Sequence, residues 1–359
     1  MSDFLLQSFI SECKDIASGL DRLGSKWPKT YEDSSFIRNM VKEELDYRLY
    51  RYQSVDNGRK KTLKKKIKTV LIIYSLINRA TIVDLQRNES LVGDLLDSDC
   101  DVFLLDWKEF GDGTLDLSLS DYSFRFIEEC VDFIKNTTCD SDINLVGLCQ
   151  GGVFSLLYTL KNKNKVRSLA LMSTPIDFKT KKDTMSKILE HINLDHLYSI
   201  PYVSGSMLNS FFNMLAPYSV LQKKYLTLIE KQDDPGFVEN FFLMENWRMD
   251  SPKVSGAVLA EFIKTFYLRN SFLNGNVEVK SSGLALEVEI DFPVLNLYGL
   301  RDRLVPPEAS KALVGLVSNQ LLYSEVPFNC GHIGMFTFRE KELTPGKAIG
   351  MWLCQESRG

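Results

Sequence analysis

Long uninterrupted apolar runs are missing from this chain. No stretch approaches the roughly 18 uncharged apolar residues of a membrane-spanning helix. The opening segment, MSDFLLQSFISECKD, lacks a basic leader, and Ser, Glu and Lys interrupt its apolar residues. It therefore reads as an amphipathic helix rather than a secretory signal. An excess of positive charge is missing too. The formal net charge is −4, which gives no reason to expect nucleic acid as a partner. The seven cysteines stand at 13, 100, 130, 139, 149, 330 and 354, and no two have CxxC spacing. That excludes the common zinc and dithiol motifs, so no metal or redox cofactor is expected. Odd, scattered thiols fit a reducing, cytoplasmic setting. Histidine is scarce, with only His191, His196 and His332.

What is present suits a soluble globular protein. The 359 residues are 44% hydrophobic and 25% charged, enough for one large domain or a domain carrying an insertion. Residues 1 to about 55 look helical from the spacing of Phe4, Leu5, Phe9, Ile16 and Leu20, and then of Ile37, Val41 and Leu45. A basic run at Arg59–Lys61 and Lys64–Lys66, with Lys68 after it, reads as a solvated approach to the first core strand. The other reading is an electrostatic aid for an anionic ligand or surface.

Beyond Lys68 the texture changes. Thr69–Tyr74, Val102–Leu105, Ile143–Val146, Leu169–Met172 and Val294–Tyr298 are short, continuous apolar runs rich in β-branched residues. Parallel strands buried on both faces read this way. Helical patterns at Tyr122–Ile134 and Val153–Leu160 lie between them, which predicts a mostly parallel sheet covered on both faces. The interval 176–289 breaks the alternation. Helical patterns recur at Met185–Ile192, Val220–Glu230 and Val254–Tyr267, and no strand is expected before 277–290. This reads as an inserted cap. The expected divisions are 1–175, the first part of the core; 176–289, the cap; and 290–359, the rest of the core.

The segment Ile143-Asn-Leu-Val-Gly-Leu-Cys-Gln-Gly-Gly152 carries the chemistry. It reads as strand, Gly-x-Cys-x-Gly, helix: a nucleophile elbow with cysteine in the serine position. Gly147 and Gly151 remove side chains where strand and helix crowd each other, and the helix N-terminus turns partial positive charge toward the site. The Gln150 N–H, next after the cysteine, is a candidate oxyanion donor. The alternative for Cys149 is a buried structural thiol in a tight turn. A thiol nucleophile of this kind needs an imidazole. His191 and His196 are five apart in the cap and suit surface or structural roles. His332, in Cys330-Gly-His-Ile-Gly334 after a last strand near Leu321–Val326, stands where an elbow protein keeps its base. Asp302, following the Val294–Tyr298 strand, can orient that ring; the alternative is a capping or ion-paired carboxylate beside Arg301 and Arg303. The order Cys149, Asp302, His332 is that of an α/β-hydrolase fold with an inserted cap. The Ile77 N–H, in the loop after the first core strand, is the candidate second oxyanion donor. The aromatics Phe211, Phe212, Phe241, Phe242, Trp247, Phe262 and Phe266 are either a water-excluding cover or the cap's own core.

Several segments together resemble the short polyhydroxyalkanoate synthases, the catalytic subunits that act with a second protein. They are Ile72–Arg79, Asp84–Gln86 with Ser90-Leu91, Val102–Trp107, Asn144–Gly152, Tyr298–Asp302 and Gly331–Gly334, with Asn246–Asp250 and Tyr267–Asn270 in the cap. Between Asp177 and Lys231 the resemblance weakens. The resemblance implies an acyltransferase that polymerises (R)-3-hydroxyacyl-CoA, 3-hydroxybutyryl-CoA being the first trial, into a storage polyester with release of CoA. It also maps the family's nucleophile, acid and base onto Cys149, Asp302 and His332. The implied partners are the growing polyester and its granule surface in the cytoplasm, a second synthase subunit, and a second copy in a homodimer. Two other functions share the motifs: a cysteine hydrolase of thioesterase or dienelactone-hydrolase type, and a non-catalytic granule protein.

Overall fold

The computed structural model describes residues 36–53, 68–85, 90–111, 117–181, 184–215, 224–337 and 343–356. The helical reading of residues 4–20 and the basic run 59–66 lie outside them. Eight strands form one sheet: β1 (Ile37–Glu43), β2 (Tyr47–Gln53), β3 (Lys68–Ile73), β4 (Cys100–Trp107), β5 (Ile143–Leu148), β6 (Val166–Met172), β11 (Val294–Gly299) and β12 (Tyr323–Phe328). Two short pairs complete the strands, β7 (Tyr202–Val203) with β8 (Val254–Ser255) and β9 (Asn276–Val279) with β10 (Leu284–Glu287). The sheet order is β1-β2-β4-β3-β5-β6-β11-β12. From β4 to β12 all neighbours are parallel, while β1 and β2 are antiparallel.

Every residue of β3, β5 and β11 is buried, as their predominantly apolar runs predict. Of the buried polar residues on these strands, Thr69, Asn144 and Asn296 are hydrogen-bonded, whereas Lys68 Nζ at the start of β3 is buried without a partner among the described residues. Asn144 on β5 donates to Thr69 O at 3.0 Å and accepts from Ser168 Oγ at 2.8 Å, so one side chain ties three adjacent strands.

The helical reading of Ile37, Val41 and Leu45 is incorrect: the segment is the β1–β2 hairpin. The spacing misleads because two of those residues face solvent, Ile37 being 47% and Leu45 62% exposed. The residues that enter the core are Tyr47, Leu49 and Tyr52 on β2, within a Tyr-rich stretch suited to a half-buried pleat. Tyr47 anchors the hairpin: its hydroxyl donates to Glu129 Oε2 and accepts from Lys42 Nζ, both at 2.7 Å.

The described residues fall into two compact units, one running from Gly205 to Ser251 and one comprising the rest. Within 176–289 the expected helices form at Thr184–Leu189, Lys224–Glu230 and Gly256–Phe262, the last continuing as a π-turn over Ile263–Leu268. The two-residue β7–β8 pairing went unread because it is too short to show a period.

In the Gly205–Ser251 unit, Leu228, Val238 and Phe242 form a core with Tyr225, Ile229, Phe237 and Phe241 packed against it. Beside it lies the buried carboxylate of Glu245, which accepts from Arg248 Nε at 3.1 Å and Tyr225 OH at 3.2 Å and pairs with Lys224. Burial alone would raise the Glu245 pKa. The hydrogen bonds from Arg248 and Lys224 outweigh that, and the net shift is downward. A carboxylate lowered on folding stabilises above its unfolded pKa and loses that contribution as pH falls through the folded value. Glu245→Ala should therefore cost about 3 kcal/mol at neutral pH, since it strands two cations. The deficit should shrink below about pH 4; urea denaturation at pH 7 and pH 3.5 checks both.

In the other unit, Phe178, Phe262, Phe266 and Phe272 pack ring on ring, with centroids 4.8 to 6.2 Å apart. These rings are core.

Candidate active site

Strand β5 delivers Cys149 to the carboxyl edge of the sheet. Cys149 has φ 52° and ψ −120°, and its N–H donates to Met172 O at 2.9 Å. A non-glycine residue there is strained, and the helix Gln150–Lys161 begins at the next residue. The glycines are required by close approach. A Cβ on Gly147 would lie 2.5 Å from the Gly152 Cα, and one on Gly151 would lie 2.2 Å from the Ile73 carbonyl oxygen.

Asp302 follows β11 and is buried. Its Oδ1 accepts the Leu304 and Val305 N–H groups, each at 2.9 Å, and its Oδ2 lies 2.7 Å from His332 Nδ1. A carboxylate only accepts, so the ring proton sits on Nδ1. That leaves Nε2 as the other ring nitrogen, and Cys149 is close enough to the imidazole to raise its proton affinity. The loops bearing acid and histidine are laced together: Arg301 N donates to Cys330 O at 2.9 Å and Leu300 N to Phe328 O at 2.7 Å. Cys330 is buried, with its sulfur 3.4 Å from Met335 Sδ. His191 and His196 are exposed.

Two influences compete at His332. Burial is the largest and disfavours the imidazolium. The charges of Asp302 and Cys149, and hydrogen bonds to both, outweigh it and hold the pKa well above 6.5. The charged ring therefore stabilises the fold fully below the unfolded value near 6.5, and this is lost as pH rises through the higher folded value. Asp302→Asn should lower the His332 titration midpoint, followed by the imidazole NMR signals. An unchanged midpoint would mean that Asp302 does not govern the ring.

The loop after β3, which carries Ile77, is hydrogen-bonded to the Gln150 side chain. Gln150 is the first helical residue, so its N–H has no intrahelical acceptor. The Ile77 N–H is engaged, donating to Ser75 Oγ at 2.9 Å. The neighbouring Leu76 N–H donates to the Gln150 side-chain oxygen at 3.1 Å. Reading the sequence missed the side-chain part of this arrangement, Ser75 and Gln150. The only signal was a long amide in a glycine-packed turn where an apolar residue would fit. A cleft at the same loop is lined by residues that include Ser75, Asn78, Arg79, Asp106, Lys108 and Lys253.

The mostly parallel sheet, the strained cysteine between strand and helix, and the Asp–His pair in the loops after β11 and β12 define an α/β-hydrolase-fold protein. Residues 68–338 match that fold family. A monoacylglycerol lipase from Paleococcus ferrophilus superposes with TM-score 0.52 at 18% identity, covering 80% of this chain and 94% of the lipase, a likeness of fold. Within the fold the relatives are specific. The poly(3-hydroxyalkanoate) polymerase subunit PhaC of Allochromatium vinosum is 36% identical over 354 residues, covering 98% of this chain and 97% of the relative. That of Thiocystis violacea is 39% identical over 291 residues, covering 80% and 81%. The chain belongs to the PhaC family of poly(3-hydroxyalkanoate) polymerases, acyltransferase-type synthases. Among the described residues no helix is long and apolar enough to cross a membrane.

Proposed function

We propose that this protein polymerises (R)-3-hydroxyacyl-CoA, with 3-hydroxybutyryl-CoA the first substrate to try, through a thioester on Cys149. The observation that carries the reading is the hydrogen bond from Asp302 to a buried His332, together with a strained cysteine at a helix start whose charge raises the proton affinity of that ring. His332 takes the Cys149 proton, the sulfur attacks the thioester carbonyl, and the proton leaves on the CoA sulfur. The hydroxyl of a second hydroxyacyl group then attacks the Cys149 thioester. Its proton passes to His332, an ester forms, and the cysteine thiolate is released for the next cycle. The N–H groups of Gln150 and Ile77 hold the tetrahedral oxyanions, Ile77 exchanging Ser75 Oγ for the charged oxygen.

In this reading residues 1–175 and 290–359 supply the catalytic core, and 176–289 form the cap that keeps water from competing with the hydroxyl acceptor. The partners are a second synthase subunit, a second copy of the chain, and the growing polyester at its granule surface. Incubation with 3-hydroxybutyryl-CoA, with and without a candidate second subunit, tests it by following thiol release and turbidity together. Insoluble polyester supports polymerisation. Stoichiometric free 3-hydroxy acid would make the protein a thioesterase on the same site, and no thiol release would leave the non-catalytic granule role.

A further inference from the structure

Two hydrogen bonds join the elbow to the loop after β3, and a third lies within that loop. The Leu76 N–H and the Ser75 hydroxyl both meet Gln150 Oε1, at 3.1 and 3.2 Å, and Ser75 Oγ receives the Ile77 N–H at 2.9 Å. All the side chains concerned are buried, Gln150 at 6% and Ser75 at 4% exposure. The proton directions are forced. A backbone N–H can only donate, so Leu76 must face the amide oxygen of Gln150. That oxygen carries no proton, so Ser75 donates to it. The Ser75 oxygen then has lone pairs left for Ile77. The chain Ile77 N–H to Ser75 O–H to Gln150 Oε1 is thus complete, with no proton out of place.

We propose that the Gln150 side chain, acting through Ser75, is the positioning residue of the oxyanion site. This rests on the reading of Cys149 as the acylated residue. Gln150 follows the cysteine directly, so one residue offers its own N–H and also aims the loop that offers the second. The frame around it is stiff. The Trp107 indole N–H donates to Tyr74 O at 2.9 Å, and Gly151 packs against the Ile73 carbonyl. In the free enzyme Ser75 Oγ satisfies the Ile77 N–H and keeps it in place. A neutral substrate carbonyl is no better an acceptor than that hydroxyl, so the N–H gains little by switching in the ground state. A tetrahedral oxyanion is charged, and a charge-assisted hydrogen bond is about twice as strong as a neutral one. The exchange is therefore favourable only as the transition state forms, the condition for raising kcat rather than tightening substrate binding.

Gln150→Met keeps length and burial but removes the acceptor, and Ser75→Ala removes the relay. Each should lower kcat for CoA release from 3-hydroxybutyryl-CoA by about 10- to 100-fold, somewhat less than outright loss of an oxyanion donor. KM should stay within about threefold. The Gln150→Met, Ser75→Ala double variant should be no slower than the slower single variant, because the groups act as one chain. Ser75→Thr, which keeps the hydroxyl, should retain most activity. Alkylation of Cys149 by iodoacetamide forms no oxyanion, so its rate should match the parent's in all variants; it also reports whether the site has folded. Parental kcat in both single variants, or equal losses in alkylation and CoA release, would overturn the proposal. Mass spectrometry of the parent separates the two readings. An acyl group located away from Cys149 removes the underlying reading and the positioning role with it. Acylated Cys149 in the parent with unimpaired variants removes the positioning role alone.

Discussion

Cys149→Ala should release no CoA from 3-hydroxybutyryl-CoA above the background rate. Loss of a triad nucleophile typically leaves less than about one part in 10⁴ of activity, and here the covalent intermediate itself has nowhere to form. The variant should fold, because Cys149 contributes no side-chain cap to the helix that follows it. Replacing its strained residue by Ala keeps the same Cβ and the same φ penalty. Cys149→Ser is the sharper case. Free thiols have pKa values near ~8.5, so a modest environment yields thiolate. An alcohol lies nearer the ~15.7 of water, so a serine here is not ionised in advance and must give up its proton as it attacks. At most trace activity is expected. Substantial polymer from either variant would remove Cys149 from the mechanism.

Asp302→Ala should divide the two half-reactions. Acylation exchanges one thioester for another, nearly without free-energy change, and its nucleophile ionises readily. Elongation must deprotonate an alcohol, so it depends on an imidazole fixed in the right tautomer. Asp302 supplies that fixing through the 2.7 Å contact to Nδ1, while Leu304 and Val305 hold its other oxygen. Elongation should therefore fall by about 10²- to 10⁴-fold, the usual weight of general-base catalysis, and the first acylation by about tenfold or less. Single-turnover CoA release compared with steady-state polymer growth reads the two apart. Equal losses would show that both steps need the same proton relay.

Much of the core was legible because each buried parallel strand is its own signal. β3 and β5 carry mostly apolar runs, KTVLII and INLVGL, and no competing period obscures them. The elbow was legible for a different reason: its glycines are demanded by contacts within a few residues of Cys149, so the constraint is local. Asp302 and His332 lie 153 and 183 residues beyond the cysteine, and only the chain order typical of this fold linked the three. The β1–β2 hairpin was hidden because Ile37 and Leu45 point to water while tyrosines fill the core, so apolar spacing followed the wrong face. Ser75 and Gln150 were hidden more deeply. They stand 75 residues apart, and neither residue type announces a partner until adjacent strands bring the two turns together.

The most direct test is to quench the protein with 3-hydroxybutyryl-CoA within the first turnover, digest it in acid, and locate the acyl group by mass spectrometry. A 3-hydroxyacyl thioester on the peptide carrying Cys149, absent from Cys149→Ala, is the predicted result. CoA released while that peptide stays unmodified, or an acyl group on any other residue, would contradict the account.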